Sequence, residues 1–301
     1  MRLRTVFLAM IFCLVVLAQF SAIPSVHASQ GKWEKGNEIR NAADYPSIQD
    51  AIDSLPPIGG TVLIPAGTYI ISTPIIVPSH VALIGEGFDT LLKLADEANT
   101  DVIWNKHPLA GIDEDITIAN MQIDGNKEKQ TGSASGIYFN TVRNARLENL
   151  WIHDFPDKFP TGMIISLGIH LENNWETVIQ HNIIENNDYT GIFVGFSHYS
   201  VVSRNYLYGN HRGIYLRNSN YVKVTKNEIV NCDEGVRIYY DASYNRIIGN
   251  YIEDSSEEGI VITRAECTDN FITGNCLVNN AIQINDQGTN TKMPHNKFID
   301  Y

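Results

Sequence analysis

From Gly191 to Ile284, a Gly or Ala followed by Ile or Val returns at almost constant spacing. The anchors are Gly191-Ile-Phe-Val, Gly213-Ile-Tyr-Leu, Gly235-Val-Arg-Ile, Gly259-Ile-Val-Ile and Ala281-Ile-Gln-Ile, at steps of 22, 22, 24 and 22 residues. A second marker keeps the same phase. Asn182, Asn205, Asn227, Asn250, Asn275 and Asn296 succeed one another at 23, 22, 23, 25 and 21 residues. Two markers holding one period over five or six copies specify a solenoid, in which no unit buries its apolar face without its neighbours.

No unit holds an amphipathic helix long enough for a leucine-rich or ankyrin repeat. Each carries several runs of three to five residues punctuated by turn residues. Stacked coils of this kind place parallel strands about 4.8 Å apart. The predicted fold is all-β, a right-handed parallel β-helix over residues 61–301. The asparagines fit an architectural role, because stacked side-chain amides donate and accept along a column. Asn120 and Asn149 are expected to extend that column upstream at wider steps of 29 and 33 residues. The extra residues must leave as loops, near Gly125–Ser135 and His153–Met163.

The N-terminal 60 residues read differently. Arg2 and Arg4, the apolar run Val6–Ala18 and the small-residue site Val26-His-Ala28 predict a secretory signal peptide over residues 1–28. The apolar run is too short for a comfortable membrane span. Export to the extracellular space or periplasm follows, without membrane insertion. Residues 29–60 form a polar segment followed by a short amphipathic helix. Pro46, Ser47 and Asp50 suit its first turn, and Ile48, Ala51, Ile52 and Leu55 share one face. That face predicts a cap over the open end of the stack. At the other end the last strand has no such cover, and a second copy of the chain is a possible partner there.

The chain holds 22 Lys and Arg against 34 Asp and Glu. Without Arg2 and Arg4 the balance is 20 against 34, a formal charge of −14. Such a chain lacks the basic footprint that nucleic acid demands. An anionic substrate remains open, since local Arg can dominate a site. Cys232, Cys267 and Cys276 match no zinc spacing. They read as small buried residues, with a disulfide between two of them as the alternative.

Alternation sorts the anchor strands into two faces. Ile137 and Phe139, Ile169 and Leu171, Ile192 and Val194, Ile214 and Leu216, Val236 and Ile238, Ile260 and Ile262, and Ile282 and Ile284 are expected inward. One outward column reads Tyr138, His170, Phe193, Tyr215, Arg237, Val261 and Gln283. The next reads Asn140, Glu172, Gly195, Arg217, Tyr239, Thr263 and Asn285. His211 and Asp233 precede their anchors by two residues and overhang the same face.

Two segments carry a family resemblance. Tyr45-Pro-Ser-Ile-Gln-Asp-Ala-Ile together with Gly59-Gly-Thr-Val-Leu-Ile-Pro-Ala-Gly-Thr-Tyr69 resembles the opening of the pectate-lyase-like superfamily of right-handed β-helices. The later coils are similar to repeats of NosD-like proteins and mannuronan C5-epimerases. The resemblance covers nearly the whole chain after residue 28. It implies the fold, and a range of activities that includes lyases, epimerases, hydrolases, transferases and non-catalytic surface proteins. Trp151-Ile-His-Asp154 only echoes a Trp-Ile-Asp-His element of pectate lyases. The Asp-Pro-His element of alginate epimerases is absent.

The outward mixture suits β-elimination or C5-epimerisation of an extracellular acidic polysaccharide. Removing the C5 proton of a uronate requires its carboxylate to be neutralised, which Arg217 and Arg237 can do bidentately. His170, Tyr215 and Tyr239 are the acid/base candidates. Tyr138 and Phe193 offer stacking surfaces, and Glu172, His211 and Asp233 offer polar contacts. Two alternatives stand beside this reading. One is a non-catalytic glycan-binding surface module. The other is a hydrolase or transferase using the acid pairs Asp233-Glu234 and Glu257-Glu258, which could hold Ca²⁺ instead. No other cofactor or metal is implied.

Overall fold

A computed structural model describes residues 38–108, 111–158 and 166–301. The expected signal peptide, most of the polar segment after it and residues 159–163 of one long loop lie outside the described residues. Among the described residues, no helix is long and apolar enough to cross a membrane.

Ser47 caps a helix over Ile48–Asp53, its hydroxyl accepting from the Asp50 amide at 3.1 Å. The buried face of Ile48, Ala51 and Ile52 joins the solenoid core. The helix packs on the strands Gly60–Ile64 and Ile75–Val77, near the start of the stack. Parallel strands joined by tight turns follow. A nine-stranded sheet stacks Ile75–Val77, Ile103–Asn105, Ile137–Asn140, Leu167–Glu172, Thr190–Gly195, Arg212–Arg217, Glu234–Tyr239, Glu258–Ile262 and Ile282–Asp286 in sequence order. From Leu167 to Val278 each coil adds two more short strands to a larger sheet, as Lys223–Thr225 and Glu228–Val230 do.

The repeating glycines have a steric cause. A Cβ on Gly213 would lie 2.6 Å from the carbonyl oxygen of Gly235 and 2.6 Å from Ile229 Cγ2. A Cβ on Gly235 would lie 2.4 Å from the carbonyl oxygen of Gly259. The coils approach too closely at that corner for any side chain.

The asparagines form the expected ladder. Nδ2 of Asn182, Asn205, Asn227, Asn250 and Asn275 each donates to the Oδ1 of the next, all at 3.0 Å. The second amide hydrogen of each satisfies a backbone carbonyl, as from Asn227 to Val202 at 2.9 Å. Asn120 and Asn149 do not belong to this column. They stand one residue earlier, at left-handed φ of 58° and 54°, where His181, Arg204 and Lys226 stand in later coils. Leu150 takes the ladder position, its amide donating to Asn182 Oδ1 at 2.9 Å. Asn suits both places, since it tolerates the left-handed region better than most residues.

The inward residues from Ile137 to Ile262 are fully buried. The last coil departs from the expected alignment. Ile284 pairs with Ile260 and Ile282 with Glu258, two residues out of the anticipated register, so Asn285 rather than Gln283 follows Val261. Ile282 is therefore exposed, and Phe298, which pairs with the buried Leu277, is 54% exposed. Among the described residues, Cys232, Cys267 and Cys276 all carry free thiols.

Candidate functional site

Strand pairing sets both outward columns in the order that alternation predicts. Tyr138, His170, Phe193, Tyr215 and Arg237 succeed one another in register. So do Asn140, Glu172, Gly195, Arg217 and Tyr239. Ring contacts run the length of the first column. Centroids of Tyr138 and His170 are 4.6 Å apart, His170 and Phe193 5.2 Å, and Phe193 and Tyr215 5.2 Å.

The candidates divide into two clusters. The downstream one is a cleft of about 230 Å³ lined by Tyr189, Arg212, Tyr215, Arg217, Arg237, Tyr239 and Tyr240. Glu234 is the carboxylate of this cluster, and two arginines share it. Arg212 Nε donates to its Oε2 at 2.6 Å, and Arg237 Nη1 donates to its Oε1. The Glu234 side chain is only 4% exposed and those of Arg212 and Arg237 are 13% and 20% exposed, so the triad is a buried anion shared by two partly buried cations. Arg212 also stacks on the rings of Tyr189 and Tyr215, at 4.7 and 5.5 Å.

Arg217 differs from its neighbours. It packs on the rings of Phe196 and Tyr240, at 5.9 and 5.1 Å. Among the described residues no carboxylate forms an ion pair with it, and its Nε is buried without a hydrogen-bond partner. Arg212 Nη1 is likewise buried and unpartnered. A buried unmet cationic donor is costly, and an oxyanion at the cleft would satisfy it.

Two of the four tyrosines of this cluster, Tyr215 and Tyr239, have opposite environments. Tyr215 is 4% exposed, packed in a small apolar cluster with Leu167 and Phe193. Burial pushes its phenol up to about 12, against the pull of Arg237 and Arg217. Tyr239 is half-buried. Arg264 Nη2 donates to its phenolic oxygen at 3.0 Å. That bond, with a second from Tyr240, holds its phenol below the ordinary range.

The upstream cluster centres on His170, whose Nε2 lies 3.5 Å from Glu172 Oε2. Tyr138 and Phe193 flank it, and Trp104 continues the ring column at 5.8 Å from Tyr138. Asp101 accepts from Trp104 Nε1 at 2.7 Å and from the Ser135 amide at 2.5 Å. Burial nonetheless pushes its carboxyl up. His170 stands two coils above Tyr215, about 10 Å along the axis at ~4.8 Å per coil. Between the clusters lies Gly195, where a Cβ would come within 2.4 Å of Glu172 Oε2.

His211 and Asp233 form a third group. His211 Nδ1 meets Asp233 Oδ2 at 2.7 Å, and Ser256 Oγ donates to Asp233 Oδ1 at 2.6 Å. Burial raises the Asp233 carboxyl, but these hydrogen bonds outweigh it and hold it low. His211 is six residues before Arg217, about 20 Å along an extended strand. Three of the four paired acids are also engaged: Glu234 in the triad, Asp233 with His211, and Glu258 with Asn285 at 3.0 Å.

Arg212, Glu234, Tyr189, Tyr240 and Arg264 escaped the column reading, as did Trp104 and Asp101. Strict alternation from Ile214 turns Arg212 inward. The strand departs from it at Gly213, where the paired ladder skips a residue. The same break at Gly235 turns the buried Glu234 toward Arg212 and Arg237. Arg264 lies beyond the strand Glu258–Ile262, in the following turn. An Arg directly before one anchor and a Glu directly before the next were the available signal.

Known structures share this architecture. The A-module of mannuronan C-5 epimerase AlgE6 from Azotobacter vinelandii matches with TM-score 0.55 and 17% identity, over 86% of this chain and 99% of that one. DFA-IIIase from Arthrobacter chlorophenolicus A6 matches with TM-score 0.63 and 12% identity, over 88% of each chain. A mutant tailspike protein of E. coli bacteriophage HK620 matches with TM-score 0.66 and 14% identity, over 84% of this chain and 52% of that one. At these identities the likeness establishes the fold alone. No curated protein matches the sequence. A family model described as "Periplasmic copper-binding protein (NosD)" matches residues 97–298.

Proposed function

The chain belongs to the NosD family of right-handed β-helix proteins, and on that footing we propose that it is an exported protein acting on an acidic polysaccharide at the Arg217–Tyr239 cleft. The single observation that carries this reading is Arg217, a cation with a buried unpartnered Nε beside a tyrosine of lowered phenol pKa.

A uronate carboxylate pairs with Arg217, with Arg212 Nη1 as a second donor. The Tyr239 phenolate takes the C5 proton, and the C–H electron pair passes toward the carboxylate, where the guanidinium stabilises it. In β-elimination the C4–O bond then breaks, the C4=C5 double bond forms, and the phenol of Tyr239 returns the proton to the leaving oxygen. In C5-epimerisation solvent water instead delivers a proton to C5 from the opposite face, and the Tyr239 phenol releases its own proton to solvent. Arg237, tied to Glu234, holds the wall of the cleft. The ring column from Trp104 to Tyr215 carries neighbouring sugars. Solved relatives that are carbohydrate-active enzymes accord with this assignment. A hydrolase using the Asp233-Glu234 pair is less well supported, because those two carboxylates are already engaged by His211, Arg212 and Arg237.

The family description names copper, and the donor set here does not fit it. Copper sites draw on thiolate, thioether and several imidazoles. Burial pushes the Cys232 and Cys267 thiols up to about 12 and about 11, away from thiolate. The three metal-capable groupings among the described residues, His80–Glu114–Asp115, Asp124–His153–Asp154 and Glu234–Glu257–Glu258, each hold one His or none and no Cys. Asp124 is already paired with Lys93 at 2.6 Å, and Glu234 with two arginines. Ca²⁺ at Glu234 meets the same competition.

The test is a panel of uronate polymers, with ultraviolet absorbance for unsaturated product, reducing ends in parallel and solvent proton exchange at C5. Unsaturated product or C5 exchange, lost in Arg217→Ala, supports the reading. Reducing ends without either, or turnover unchanged in Arg217→Ala, overturns it.

A further inference from the structure

Tyr239 is gripped from two sides. Arg264 donates the 3.0 Å hydrogen bond to its oxygen, and the same guanidinium lies 4.9 Å from its ring and 4.4 Å from the Tyr240 ring. Arg237, on Tyr239's own strand, lies 5.1 Å from the ring. Arg217 is its paired residue on the preceding coil. The rings of Tyr240 and Tyr215 stand 4.1 and 6.3 Å away. The groups facing this phenol are therefore three guanidiniums and two phenols. The neighbouring carboxylate, Glu234, is spent on Arg212 and Arg237.

A guanidinium only donates, and it stays charged across the working pH range. A hydrogen bond from a fixed cation favours the anionic form of its acceptor. Arg264 comes from a turn one coil downstream, so its grip depends on the stacking of coils and not on the Tyr239 strand itself.

We propose that Arg264 is a positioning residue that fixes the Tyr239 oxygen at the cleft wall and favours its deprotonated form, making Tyr239 rather than Tyr215 the proton acceptor. The inference rests on the acid/base role assigned to Tyr239 above. The direction of the Tyr239 phenol shift agrees with it, and the Tyr215 shift runs the other way.

The test is an ultraviolet difference titration of tyrosinate on the full chain, in wild type, Tyr239→Phe, Arg264→Gln and Arg264→Lys. Wild type is expected to show one tyrosine ionising ahead of the rest, absent in Tyr239→Phe. Arg264→Gln moves that ionisation up by about one pH unit or more. Arg264→Lys keeps the charge without the planar fork and gives a smaller shift, and it serves if Arg264→Gln does not fold. An early tyrosine that persists in Tyr239→Phe, or a titration untouched by both Arg264 variants, overturns the proposal. The titration needs no substrate. A shift without turnover of any polymer sustains the Arg264–Tyr239 coupling and sinks the catalytic reading, whereas turnover without a shift does the reverse. Where turnover exists, the basic limb of the kcat/KM profile moves with the titration.

Discussion

Arg212 and Glu234 face each other across adjacent coils at 2.6 Å, and the same carboxylate also binds Arg237. Two cations thus depend on one buried anion. Glu234→Gln leaves both without a counter-charge. It is expected to destabilise the fold by about 3–5 kcal/mol, since breaking a buried pair strands the remaining charge. Chemical denaturation measures this, and a loss below about 1 kcal/mol would show that the triad is not a structural clamp.

Arg217 should behave in the opposite way. With no ion-pair partner among the described residues to strand, Arg217→Ala is expected to change stability by less than about 1 kcal/mol. Affinity for the proposed acidic glycan should fall at least tenfold, or about 1.4 kcal/mol. Arg217→Lys should not restore it, because a point charge does not replace the planar fork. Glycan titration calorimetry beside thermal melts separates the two effects.

Tyr215 predicts a loss of stability at high pH. Its phenol lies at about 12 in the folded chain against about 10 unfolded. Folding therefore favours the neutral form. Stability from this group is complete below pH ~10 and is lost as pH rises through its folded value, by on the order of 2 kcal/mol. In Tyr215→Phe, denaturation midpoints between pH 9 and 12 should fall less steeply than in wild type. Equal slopes would remove the assigned burial effect.

The two kinds of asparagine should respond differently to the same change. Asn227 donates to Val202 and Asn250 from a fully enclosed turn. Asn227→Gly should cost about 1–3 kcal/mol through unmet buried groups. Asn149 sits at a left-handed φ of 54° with a single amide contact to Asn120 at 3.2 Å. Asn149→Gly should change stability by no more than a few tenths of a kcal/mol. Similar losses at both positions would contradict the ladder assignment.

Much of this molecule was readable before any coordinates. The Gly and Asn periods identified the coil, and alternation placed His170, Phe193, Tyr215, Arg217, Arg237 and Tyr239 on the outward face in their true order. Periodicity reports local geometry, and a parallel stack repeats that geometry coil after coil. It failed where the geometry was not repeated. Asn149 looked like Asn182 because one residue type suits both a ladder and a left-handed turn. The last coil slipped by two residues because its anchor, Ala281, does not mark the corner that Gly259 marks.

The sequence by itself determined the solenoid, its inward core and the face on which polar and aromatic residues gather. These depend on spacing along one chain. Only the tertiary structure decided which of those residues share a cleft. It buried Tyr215, tied Arg237 and Arg212 to Glu234, left Arg217 without an ion pair among the described residues, and brought Arg264 from the next coil onto Tyr239. Burial and the pairing of Arg212 with Glu234 depend on distances between coils, and residues 22 to 27 positions apart in sequence carry no local mark of which will touch.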